Sequence, residues 1–201
     1  WRWRFRDNPA GSSIIQLAWD DNILASHYAV AQVTLSVNGE KVSSGLDVTT
    51  ITHPDYRGRG LFRTLAKSAF ERSAESGLAI VWGFPNRNSH RGYIQDLGWV
   101  DVWEVPTLRW STPMLTNLGT SSSSIAEVFS FDERFDHLWR EVERDSCIMV
   151  ERDSQYLRWR YTAKPNAQYR ILVCQEGHNL LGYAVFKRYA DEFQVVDLLT
   201  Q

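Results

Sequence analysis

Short apolar runs separated by polar turns dominate the chain. Runs rich in β-branched and aromatic residues predict strands over 14–19, 23–33, 46–51, 79–84, 169–174 and 180–187, and a last apolar run covers 195–199. Asp20-Asp21-Asn22 separates the first two runs, and Glu176-Gly177-His178-Asn179 separates the fifth and sixth. Polar turn residues between such runs are a hairpin signal. After residue 60 the period lengthens to that of a helix. Leu61, Phe62, Leu65, Ala66, Ala69, Phe70 and Ala74 form one stripe, Lys67, Glu71, Arg72 and Glu75 lie off it, and Gly77 suits the residue that closes a helix. Phe131, Phe135, Leu138, Trp139 and Val142 recur at the same spacing, behind Ser130-Phe131-Asp132-Glu133, which reads as a capping box. A further helix is expected from near Asn88, capped by Asn86 or Asn88.

The pattern also repeats. Arg2-Trp3-Arg4 returns as Arg158-Trp159-Arg160, and at the same offset of 156 Phe5 meets Tyr161, Pro9 meets Pro165 and Ile15 meets Ile171. With a one-residue deletion, Tyr28-Ala29-Val30 meets Tyr183-Ala184-Val185, and 195–199 pairs by order with Leu46-Asp47-Val48. Self-similarity at a fixed offset marks a duplicated unit. Each copy reads as a Trp-rich helix end, a Pro-containing loop and a hairpin. The second copy has a helix ahead of it that the first lacks. The first has a continuation that the second lacks. The chain is therefore expected to hold two partial copies, 1–112 and 125–201, joined by a Thr/Ser/Gly/Asn-rich linker at 113–124. It reads as an excised middle or a truncated tandem protein, and a start at Trp1 fits removal of something upstream.

The candidate chemistry lies where the third run meets the first helix. His53-Pro54-Asp55-Tyr56-Arg57-Gly58-Arg59-Gly60-Leu61-Phe62 is a strand, a Gly-rich turn and a helix start. First-turn N–H groups have no partner within a helix, the helix dipole favours anions there, and glycines let a backbone approach phosphates. Arg57 and Arg59 add charge. A second block follows another apolar run: Asn86-Arg87-Asn88-Ser89-His90-Arg91-Gly92-Tyr93, then Leu97-Gly98-Trp99.

Together these blocks resemble the GNAT N-acetyltransferase superfamily over 44–105. That family carries Arg/Gln-x-x-Gly-x-Gly/Ala for the coenzyme A pyrophosphate, then Asn-x-x-Ala-x-x-x-Tyr and Leu-Gly-Phe. This chain has Arg57-x-x-Gly60-x-Phe62, Asn86-x-x-Ser89-x-x-x-Tyr93 and Leu97-Gly98-Trp99. Phe62 departs from the small residue of the pattern, and Gly60-Leu61-Phe62-Arg63 looks similar to the tandem, enhanced-intracellular-survival branch. The resemblance implies an α/β (α+β) fold, a mixed and mostly antiparallel twisted sheet flanked by helices, in two partial tandem copies. It implies acetyl-CoA as co-substrate, lying in a V between 45–51 and 79–84 with the thioester carbonyl polarised by a strand N–H. Ile51, Thr52, Arg57, Gly58, Arg59, Gly60, Leu61, Phe62, Asn86 and Ser89 would bind it. Tyr93 would protonate the leaving thiolate. Against this stand plainer roles: a solvated turn, a helix cap at Asn86, a core Tyr93. Asp47 is the first candidate for the base, ahead of Glu104 and Asp101. The acceptor would be a small-molecule or peptide amine. A non-catalytic acyl-CoA-binding or scaffold module is the alternative, and a tRNA-dependent aminoacyl- or peptidyl-transferase of cell-wall type is a third reading.

Composition narrows this a little. A net charge of −2 and pI of 6.2 give no field for nucleic acid or an anionic membrane. Cys147 and Cys174, expected as buried small hydrophobes, lack metal-like spacing and fit a reduced, cytoplasmic setting. No apolar run has membrane-spanning length, no signal peptide is visible, no metal site is expected, and a homo-oligomer is left open. His53 and His90 read as loop and helix-surface residues, and Trp1, Trp3 and Trp159 as packing residues.

Overall fold

A computed structural model describes residues 1–109 and 123–201. Two sheets organise it. The first has the order β1-β2-β3-β4, from Ile14–Asp20, Ile23–Val37, Glu40–Thr52 and Ile80–Gly83. The β1/β2 and β2/β3 pairs are antiparallel, and β3/β4 is parallel. α2 (Leu61–Glu75), behind the Gly-rich turn, covers one face, where Leu65, Ala66 and Ala69 pack on Ile14, Tyr28 and Val30. α3 (Arg87–Leu97) packs beside α2. α1 is a single turn, Arg2–Phe5, whose Phe5 sits on the opposite face against His27.

The second sheet has the order β5-β7-β8-β9, from Ser124–Val128, Arg170–Glu176, Asn179–Tyr189 and Glu192–Thr200. α4 (Glu133–Val142) fills its core with Phe135, Leu138 and Trp139 against Ile171, Val173, Tyr183 and Val185. Its cap is Asp132, whose side chain accepts from the Arg134 N–H, so the expected capping box on Ser130 does not form. α5 (Ser154–Leu157) runs on into a π turn at Arg158–Thr162. β6 (Ile148–Val150) leaves the second half and pairs antiparallel with β2 in the first sheet.

The two hairpins share one register. Ile15 stands opposite Ala29 and Ile171 opposite Val185. A register shift falls after Ala18 in one and after Cys174 in the other. The offset is a constant 156, so no residue is deleted and Tyr183 occupies the place of His27, not of Tyr28. Asp197, opposite Val185, accordingly does not occupy the place of Asp47, which stands opposite Val30. Of the expected linker, 113–122 lie outside the described residues, and Ser124 opens β5. Cys147 is exposed and Cys174 half-buried, against the expectation that both are buried. Trp1 is 73% exposed and is not a core residue: as the N-cap it stands ahead of α1, its ring 5.5 Å from that of Phe5, which takes the buried place.

Candidate active site

β3 carries the chain into the turn, and a 3₁₀ turn at Pro54–Tyr56 follows, capped by the His53 ring, which accepts from the Asp55 N–H at 3.3 Å. Gly58 and Gly60 then take φ of +74° and +76°. A Cβ at either would meet nothing within 4 Å, so the backbone turn requires glycine there, not crowding. Gly60 is the N-cap of α2 and no side chain caps the helix. Its first N–H groups are thus left for an anion. Arg57 donates to the Thr52 carbonyl at 3.3 Å. Arg59 donates to the Asp55 carbonyl at 3.0 Å and lies 4.8 Å over the Tyr56 ring. Both are exposed, as are Gly58 and Gly60, while Leu61 is half-buried.

Phe62 is half-buried and its ring turns into the core. It lies 5.3 Å from the Tyr93 ring and 6.0 Å from the Tyr28 ring, and a Cβ on Gly92 would come within 3.0 Å of it. Gly92 therefore makes the room for Phe62, and the turn surface receives only its backbone.

β3 and β4 pair only over Ser44–Asp47 and Ile80–Gly83. Beyond Asp47 and Gly83 the strands part, β3 continuing to Thr52 while the other chain turns into α3. Ile51 is 62% exposed on this stretch of β3. Thr52 is half-buried, its hydroxyl 2.9 Å from that of Ser26. Across the opening, Asn86 caps α3, its side chain accepting from the Asn88 and Ser89 N–H groups at 2.9 and 3.1 Å. Ser89 donates its hydroxyl back to the Asn86 carbonyl at 3.3 Å. Asn86, not Asn88, is the cap.

Behind the opening lies a polar cluster. The Tyr28 hydroxyl donates to one Asp47 oxygen and Thr50 donates to the other at 3.0 Å, and the Tyr93 hydroxyl lies close enough to feel the Asp47 charge. Tyr28 is wholly buried and Tyr93 is 5% exposed, wedged between Phe62 and Trp99. Burial raises the Asp47 carboxyl above its ordinary range, while the hydroxyls around it favour the charged form. Burial and then the Asp47 charge push Tyr93 up to about 12, and the same two causes hold Tyr28 far above its usual value. The structure thus brings Tyr93 to Asp47. It leaves Asp101 and Glu104 exposed, with Asp101 2.8 Å from the His90 ring. Tyr28 and Thr50 were missed in the sequence. A tyrosine leading into Ala29-Val30-Ala31 mid-strand was the signal, since a buried hydroxyl needs a partner.

Residues 2–100 match the family model described as Acetyltransferase (GNAT) domain. The fold is that of the GNAT acetyltransferases. The chain is similar to a GCN5-related N-acetyltransferase from Kribbella flavida, at TM-score 0.67 and 14% identity over 93% of this chain and 46% of that one. A probable N-acyltransferase from Enterococcus faecalis gives TM-score 0.64 and 15% identity, over 92% and 47%. Yeast N-myristoyltransferase with bound myristoyl-CoA gives 0.53 and 12%, over 88% and 50%. The chain spans about half the length of each. No curated protein matches the sequence. Among the described residues no helix is long and apolar enough to cross a membrane, and no group of three His, Cys, Asp or Glu could hold a metal.

Proposed function

We propose that the first half of the chain transfers an acetyl group from acetyl-CoA to a primary amine. One observation carries this reading. The parting of β3 from β4 lies between an uncapped helix N-terminus behind two left-handed glycines and the buried Asp47–Tyr93 pair. The open space over Gly58 and Gly60 fits a pyrophosphate, with Arg57 and Arg59 supplying charge. The edge of β3 along 48–52 that β4 leaves uncovered would hold the pantetheine arm.

Tyr93 is the proton donor. Raised to about 12, its hydroxyl stays protonated across the physiological range, as a donor to a departing thiolate must. Asp47 is the candidate base, held by hydrogen bonds from Tyr28 and Thr50 with Tyr93 beside it. Its carboxyl, raised by burial, would accept the amine proton more readily than an exposed aspartate would.

Incubating the chain with acetyl-CoA and a panel of primary amines, and following thiol release together with acetylated product by mass spectrometry, tests the reading. Amine-dependent release supports it. Failure of acetyl-CoA to bind at millimolar concentration would sink it. Binding without turnover of any amine would favour the non-catalytic module, a reading that the near-complete burial of Tyr93 supports.

A further inference from the structure

Thr49 is a β-branched residue with φ of +57°, a strained conformation that only a surrounding structure can hold. It sits where His27 stands opposite Ile51 and Ala29 opposite Val48, so Thr49 and Thr50 together face the single residue Tyr28. This is a β-bulge on β3, within the stretch that has parted from β4. The His27 ring reaches it: Nδ1 lies 2.8 Å from the Thr49 carbonyl oxygen. A carbonyl only accepts, so Nδ1 carries the proton. Nε2 is buried with no partner among the described residues, so this single bond orients the polar edge of a side chain that is only 7% exposed.

The consequence follows from peptide geometry. In a planar trans peptide the C=O and N–H point in opposite directions. Turning the Thr49 carbonyl to His27 therefore aims the Thr50 N–H away from the ring. The adjacent residue, Tyr28, points to the other face of the sheet and holds Asp47, which also accepts from Thr50. Two consecutive residues of β2 thus grip β3 from its two faces, one through the bulge and one through the carboxylate.

We propose that His27 is a positioning residue of the acyl-donor site: by holding Thr49 in the left-handed conformation it fixes the peptide between Thr49 and Thr50 along which the acyl arm lies. The proposal rests on the acyl-CoA reading above. Affinities for acetyl-CoA and for ADP, which carries the pyrophosphate but no acyl arm, test it by calorimetry.

In His27→Ala, acetyl-CoA binding falls by about tenfold, the size of one released strain of this kind, while ADP binding holds. His27→Asn, whose amide nitrogen can stand where Nδ1 stands, keeps most of the affinity. Thr49→Gly, added to His27→Ala, recovers part of the loss, because glycine takes a positive φ without strain. Should His27→Ala not fold, His27→Asn against His27→Gln decides, since Gln carries its amide one methylene too far. Equal loss for ADP and acetyl-CoA, no loss for either, or equal behaviour of Asn and Gln overturns the positioning role and leaves the acyl-CoA reading standing. A parent chain that binds ADP or nothing, but never acetyl-CoA, overturns both.

Discussion

Tyr93 combines a core ring and a buried hydroxyl, and the two can be separated. Its ring packs on Phe62 and Trp99, and its hydroxyl belongs to the Asp47 group. Tyr93→Phe keeps the ring. Acetyl-CoA affinity should hold, melting temperature should change little because the ring packing is kept, and turnover should fall by roughly 10²–10⁴ as for a positioned acid. Unchanged turnover per folded molecule would make Tyr93 a packing residue alone. Asp47 yields a test that needs no substrate. Its carboxyl is raised above the ordinary 3.8 by burial. The charged form is thus the one that folding disfavours, and this contribution is complete below the ordinary value and lost as pH climbs through the raised one. Asp47→Asn does not titrate. Its melting temperature should therefore gain on the parent's between pH 4 and pH 7. A gap that stays constant over that window would show that burial does not perturb Asp47.

At the scale of the elements, the turn and α2 form one unit. Gly60 ends the turn and caps the helix in a left-handed conformation, with open space where a Cβ would go. Gly60→Ala meets only the backbone penalty, roughly 1–2 kcal/mol for an L-residue in that region, and relief of that strain would shift the turn that presents the first helix N–H groups. Lower melting temperature together with weaker ADP binding is expected; weaker stability with unchanged ADP binding would remove the turn from the phosphate site. α2 and both hairpins were legible in the sequence because each is specified by neighbours in the chain: an apolar stripe with Gly77 behind it, polar turns between β runs. The unreadable parts are those that a distant strand decides. β3 extends from Glu40 to Thr52, beyond the predicted 46–51, because β2 pairs along its whole length. The Thr49 bulge shows no glycine to announce it, since the His27 ring holds what glycine would adopt freely. Of the site, the turn, Asn86, Tyr93 and Asp47 were visible as residue types at a spacing. Tyr28 was not, because only sheet register brings it to Asp47, and Thr50 was not, because the bulge at Thr49 puts it on the same side of β3 as Asp47.

The whole molecule is tied together at a near-symmetric junction. Trp3 and Trp159, one from each Arg-Trp-Arg, stack at 5.0 Å with 17° between their rings. Each indole N–H donates to the other's carbonyl, at 2.7 and 2.8 Å. The same relation read in both directions is what an approximate twofold axis between the two halves would produce, and the two hairpins share one register. β6 adds a second tie by pairing with β2, and Lys41 with Glu151 lies next to it. The two ties are separable because the Trp pair anchors α1 to the π turn while β6 joins a sheet. Trp159→Phe keeps a ring for the stack, removes one donor and leaves the Trp3 carbonyl without that partner, a change that costs about 1–3 kcal/mol when the group stays buried. Hydrogen exchange should then rise at residues 1–6 and 154–162, with β1 to β3 and β7 to β9 retaining their protection, because each sheet keeps its own core. Loss of protection spread evenly over both sheets would mean that the halves fold as one cooperative unit and that the tryptophan pair is not a local clasp.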